Sequence, residues 1–152
     1  MQSELTLTQE LISSSTILLL DKLIESIDNY LNGFNQKEIL SFSSSTSKES
    51  LKEYTENYFL FVSSIAPIIS ELTSLNAELA SLLIKADKNM EIELIVTCEK
   101  KFNAFEEFER ALYEYTSSVE KELLNSNANA AFLINATQKF KIAAERLVKE
   151  NG

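Results

Sequence analysis

Counted in steps of three and four from Leu51, the chain lines up Leu51, Tyr54, Tyr58, Phe61, Ile65, Ile68, Leu72, Leu75, Leu79 and Leu82, every one apolar or aromatic. An α-helix turns once in 3.6 residues, so such a line runs along one face and forms a heptad seam. Val62, Ile69 and Leu83 each follow a seam position by one residue and widen the face enough for two neighbours. At about 1.5 Å per residue, residues 51–83 would extend roughly 50 Å as a helix and need packing partners along that whole length.

Three further segments repeat the pattern. Residues 7–32 read as a first helix with Leu20, Leu23, Ile27, Tyr30 and Phe34 on its core line, flanked by Ile24 and Leu31. Thr6 and Gln9 have the spacing of a capping box at its start, and Gly33 is placed to end it in a left-handed conformation. Its first half is unusual: Ser13 to Thr16 are weak helix formers, and Ile17, Leu18, Leu19 and Leu20 put apolar groups around most of one turn. Residues 90–124 predict a third helix whose inner side carries Ile95, Cys98, Phe102, Phe105, Phe108, Leu112, Tyr115, Val119 and Leu123. Residues 128–149 predict a fourth, rich in alanine, with Leu133, Phe140 and Leu147 on its line. Small residues there permit a close helix approach.

Between the first two helices, residues 35–46 form a serine-rich linker, in which Asn35 with Glu38 can cap one short turn. The plain reading is a crossover loop; the sharper one is a modifiable, regulatory segment. Thr46 and Glu49 then form a second capping box, and Asp87 or Asn89 can cap the third helix. Pro67 removes a backbone donor midway along the second helix and crowds the carbonyl of Ser63. Because the seam keeps its phase through Ile65 and Ile68, a kinked helix is expected rather than two helices in line. The predicted fold class is all-α, an antiparallel four-helix bundle with long second and third helices in a single domain over residues 1–152. The unequal lengths suggest that the second and third helices project together beyond the other two.

Composition fits this reading. In 152 residues there are only two glycines and one proline, too few to punctuate a sheet, and the length allows one core. The net charge of −9 disfavours nucleic acid and anionic membranes as partners. That charge is uneven: residues 89–125 carry four basic and nine acidic groups, residues 126–152 four basic and two acidic. Opposite signs would help the last two helices pair as neighbours.

Chemistry is sparse. No histidine is present, so the commonest general base is missing, and neither a Ser/His/Asp set nor a Glu-x-x-His metal bundle can be assembled. No catalytic residue, metal ligand or cofactor is predicted, and the chain is expected not to be an enzyme. The lone Cys98 excludes an internal disulfide, lies on an apolar line and reads as core. With no basic leader and no unbroken apolar run long enough to span a bilayer, a cytoplasmic protein without a membrane span is expected. The sequon at Asn135 lies within a predicted helix and reads as chance.

The remaining signal is surplus hydrocarbon. Ile17, Leu18, Leu19, Phe59, Val62, Phe102, Phe105, Phe108, Tyr113 and Tyr115 include more apolar groups than one core requires, and they are the candidate interaction residues. The expected function is a non-enzymatic interaction module, an adaptor or assembly subunit that binds itself or a partner helix as a homo- or hetero-oligomer. The alternative is a bundle holding a lipid or other apolar small molecule between the aromatic faces of its second and third helices. A weaker third reading is an acidic mimic of nucleic acid.

Overall fold

The computed structural model describes residues 3–34 and 48–152. Among these residues there are four helices and no strand: α1 (Glu4–Asn32), α2 (Lys48–Lys88), α3 (Ile92–Leu124) and α4 (Ala130–Asn151). The expected cap at Asn35 and the serine-rich linker lie outside the described residues, as does Thr46 of the second capping box.

Each helix packs on two others, in the cyclic order α1, α2, α3, α4 and back to α1. All four neighbouring pairs run antiparallel. Tyr30 near the end of α1 stacks on Phe61 in the first half of α2, and Ile12 near the start of α1 packs with Leu79 and Leu82 near the end of α2. Tyr115 of α3 meets Phe140 of α4, while Ser13 of α1 reaches Asn151 at the end of α4. The bundle is therefore the expected one. α2 is continuous through Pro67, so the heptad phase correctly indicated one helix.

Two clusters make up the core. The larger holds Leu20, Leu23, Ile27, Tyr58, Ile65, Leu72, Phe108, Val119, Leu133, Phe140 and Leu147, from all four helices. Burying each such side chain contributes roughly 1.5–3 kcal/mol. The smaller cluster holds Ile12, Leu79, Leu82, Ala86, Leu94 and Cys98, with Leu5 and Phe102 against it. It comes from α1, α2 and α3 alone. The far ends of α2 and α3 are thus covered by the start of α1 and do not project as a two-helix extension.

Several helix ends differ from the sequence expectation. Ser3, not Thr6, caps α1: its hydroxyl accepts from the Thr6 amide at 3.1 Å, and the helix begins earlier than the Thr6 box implied. Gly33 has φ −72° and is right-handed, not left-handed. The left-handed residues are instead Met90 (φ 57°) and Ser126 (φ 58°), at the α2–α3 and α3–α4 turns. At both turns the amides after the helix bond back in the Schellman pattern: Glu91 N to Ala86 O and Met90 N to Asp87 O, then Asn127 N to Glu122 O and Ser126 N to Leu123 O. Neither Asp87 nor Asn89 caps α3; Glu91 stands at its N-cap without a side-chain bond. Asn129 caps α4, accepting from the Phe132 amide at 2.9 Å.

Candidate functional site: the groove between α2 and α3

The weak helix formers of α1 have a structural explanation. Ser13 is buried, and its hydroxyl accepts from Gln9 Nε2 and Lys101 Nζ, each at 2.7 Å, while donating to Asn151 Oδ1 at 3.2 Å. This polar knot ties α1, α3 and α4 together where α4 ends. Burial pushes the Lys101 ammonium below its ordinary pKa, partly offset by nearby Cys98 and Glu10. Thr16 satisfies its hydroxyl on the Ile12 carbonyl at 2.8 Å. The last two helices do pack as antiparallel neighbours, and Lys141 of α4 forms an ion pair with Asp28 of α1 at 2.7 Å.

Three tyrosines crowd together: Tyr58 and Tyr115 are buried, and Tyr30 is half-buried with its hydroxyl covered. Tyr115 bonds Thr137 at 2.8 Å, and because the Thr137 hydroxyl proton goes to the Leu133 carbonyl at 2.7 Å, Tyr115 is the donor. The hydroxyls of Tyr30 and Tyr58 are buried without a hydrogen-bond partner among the described residues. Burial raises the pKa of all three; that of Tyr115 is pushed up to about 12 although its bond to Thr137 pulls the other way. Their rings are filled in by one another and by neighbours: Tyr58 lies edge-on to Tyr115 at 6.1 Å, and Tyr115 stacks on Phe140 at 5.1 Å.

The apolar space between α2 and α3 opens outward. It is a groove of about 500 Å³ with Val62, Ile65, Ala66 and Ile69 on the α2 side and Phe105, Phe108, Leu112 and Tyr113 on the α3 side. Ser70, Glu109 and Thr116 complete the lining. Ile65, Phe105 and Phe108 form its buried floor, while Tyr113, 72% exposed, stands at the rim.

Of the candidate residues read from sequence, Val62, Phe105, Phe108 and Tyr113 are brought together here. Phe59 is about half exposed one turn along α2, its ring edge-on to Tyr58 at 5.3 Å. The others lie elsewhere. Tyr115 is buried in the interior, and Phe102 packs on the three-helix cluster. Ile17, Leu18 and Leu19 belong to α1, which packs on α2 and α4 and does not line this groove; Leu19 is buried, Ile17 half-buried and Leu18 exposed.

Ile65, Ala66, Ile69 and Leu112 were not among the interaction candidates read from sequence, and one signal marks the three on α2. Between Glu56 and Glu71 the chain has no charged residue. An amphipathic surface helix normally turns charge outward. Here the outer flank of α2 reads Thr55, Phe59, Val62, Ala66, Ser70, Thr73, Ala77, Ala80 and Ile84, a second line at helical spacing beside the core seam, each residue exposed or half-buried. α2 also contains an 18-residue stretch of mean hydropathy 1.5 with no more than two charges, only 22% of it buried. Judged by length and composition alone it can cross a bilayer, a property it shares with core helices of soluble proteins. Counting unbroken apolar runs misses it because serines and Pro67 interrupt the pattern.

Among the described residues no three of Cys, Asp and Glu converge in a way that could hold a metal ion. Comparison of the chain with protein-family models, with curated proteins and with solved structures gives no match to any of them.

Proposed function

We propose that this chain is a non-enzymatic interaction protein, an adaptor or assembly subunit, that docks a helix along the groove between α2 and α3. The observation that carries this reading is the uncharged outer flank of α2 beside an open apolar groove. Folding of the bundle alone does not require that flank to be uncharged, because its residues remain exposed or half-buried. Large apolar patches are uncommon on monomers and mark surfaces that become covered. Phe59, about half exposed, and Ile84, exposed, extend the same uncharged flank of α2 beyond the two ends of the groove.

The alternative of an apolar molecule held inside the bundle draws less support, because the inward rings of Tyr58, Phe61, Tyr115 and Phe140 pack on one another. A photo-crosslinking residue in place of Tyr113 tests the docking reading in the cells that make the protein. A discrete adduct is expected from position 113 and none from position 114, which faces outward on α3. Equal crosslinking from both positions, or none from either, refutes it.

A further inference from the structure

The two walls of the groove differ in charge, and that difference identifies the chemistry of what lies in it. With 100° per residue, the flank of α3 that faces α2 carries Glu99, Glu106, Glu109, Tyr113 and Glu120, and no basic residue. Glu109 lines the groove itself, and Glu120 lies about three turns further along the same flank of α3. The facing flank of α2 is uncharged from Thr55 to Ile84; its lysines, Lys48, Lys52 and Lys88, stand beyond those limits. One wall is neutral and the other is acidic.

Resting on the docking reading above, we infer that the occupant is an amphipathic helix of another protein, with bulky apolar residues on one stripe and lysine or arginine along the flank that meets α3. Ala66, Ser70, Thr73 and Ala77 leave little side-chain bulk on α2, so a helix axis can come close and the guest must supply the large side chains. Basic residues on one flank would meet Glu106, Glu109 and Glu120, which fixes the guest's orientation and speeds its capture. A second copy of this chain is the wrong occupant electrostatically, since it brings net charge −9 to an acidic rim.

The test uses the full chain and three synthetic 20-residue peptides: a leucine stripe flanked by lysine, the same stripe flanked by glutamate, and the lysine peptide with its leucines scrambled. Anisotropy titrations at about 150 mM salt, where surface charges more than about 8 Å apart are screened, should show the lysine-flanked stripe binding at least tenfold tighter than either control. Ala66→Lys, which blocks the groove at an exposed position, should reduce that affinity at least tenfold. Glu106→Lys with Glu109→Lys should transfer the preference to the glutamate-flanked peptide.

If the two striped peptides bind equally and Ala66→Lys abolishes both, the basic guest is wrong and the groove reading survives. Equal binding of the scrambled peptide reduces the effect to bulk charge and overturns the inference. Sedimentation of the chain as a dimer that Ala66→Lys disperses makes a second copy the occupant and also overturns it. Binding to neutral phosphatidylcholine vesicles with none to any peptide replaces the guest by a lipid surface. No peptide binding, no dimer and no vesicle binding removes both this inference and the docking reading.

Discussion

Replacing Tyr58 with phenylalanine should stabilise the protein, although tyrosine is the larger residue and is fully buried. Tyr58 is 0% exposed and its hydroxyl has no hydrogen-bond partner among the described residues. The phenol gives up water on folding and gains nothing in exchange, a cost of roughly 1–3 kcal/mol. Phenylalanine keeps the ring, and with it the edge contacts to Phe59 and Tyr115, so no methylene-sized hole opens. A gain of about 1 kcal/mol is expected, which for this chain length raises Tm by about 2–4 °C. Tyr115→Phe is the internal control. It deletes the donor of a 2.8 Å bond to Thr137, and since Thr137 still donates to Leu133, the loss should be about 0.5–1.5 kcal/mol. The assay is urea unfolding followed by circular dichroism, with the slope m unchanged between variants so that midpoints compare stability. If Tyr58→Phe costs 1 kcal/mol or more, the hydroxyl has a partner, such as a buried water, and its burial is no net cost to the fold.

Other outcomes follow from the same packing. Met90→Gly and Ser126→Gly should each stabilise by about 0.5–1 kcal/mol in thermal melts, because both residues hold left-handed backbone that glycine adopts without strain; a loss at both would show that their side chains matter more than their backbones. Burial raises the Tyr30, Tyr58 and Tyr115 pKa values above 10.0, so in the fold the neutral phenols are favoured. Their contribution is complete below pH 10 and is lost as pH rises above it, approaching about 1.4 kcal/mol per pH unit for each phenol that ionises only on unfolding. Urea midpoints in that range should fall steeply, and less so in Tyr58→Phe; a flat profile contradicts burial as the cause. Ser13→Ala should cost about 1–3 kcal/mol by removing the acceptor shared by Gln9 and Lys101; an unchanged midpoint would mean that water replaces it. Cys98 is fully buried and its thiol is pushed above its ordinary pKa, so a thiol reagent at pH 8 should label it only in denaturant; rapid labelling of native protein would show that the three-helix end opens readily.

Periodicity alone was enough to place the helices and to name most of the interior. The seam through Tyr58, Ile65 and Leu72 could be read because a helix repeats its faces every three to four residues, and burial along one face selects apolar groups at that spacing. Helix ends were less legible. A capping signal such as Thr6 with Gln9 is short and frequent, and Ser3 was equally eligible; the left-handed turns fell on Met90 and Ser126, where packing of the helices on either side outweighs the intrinsic preference for glycine. Periodicity also cannot say whether a side chain beside the seam is covered, because coverage depends on which helix lies next to it. Val62 and Phe59, both beside the seam and both candidates from sequence, show this: Val62 lines the groove and is half-buried, while Phe59 does not line it and is about half exposed. The cyclic order of the helices brought Val62 and Ala66 opposite Phe105 and Tyr113, while Ile17 to Leu19 fell on α1, which does not line the groove. A site made by two helices is a property of their juxtaposition, and a one-dimensional pattern holds only each half of it.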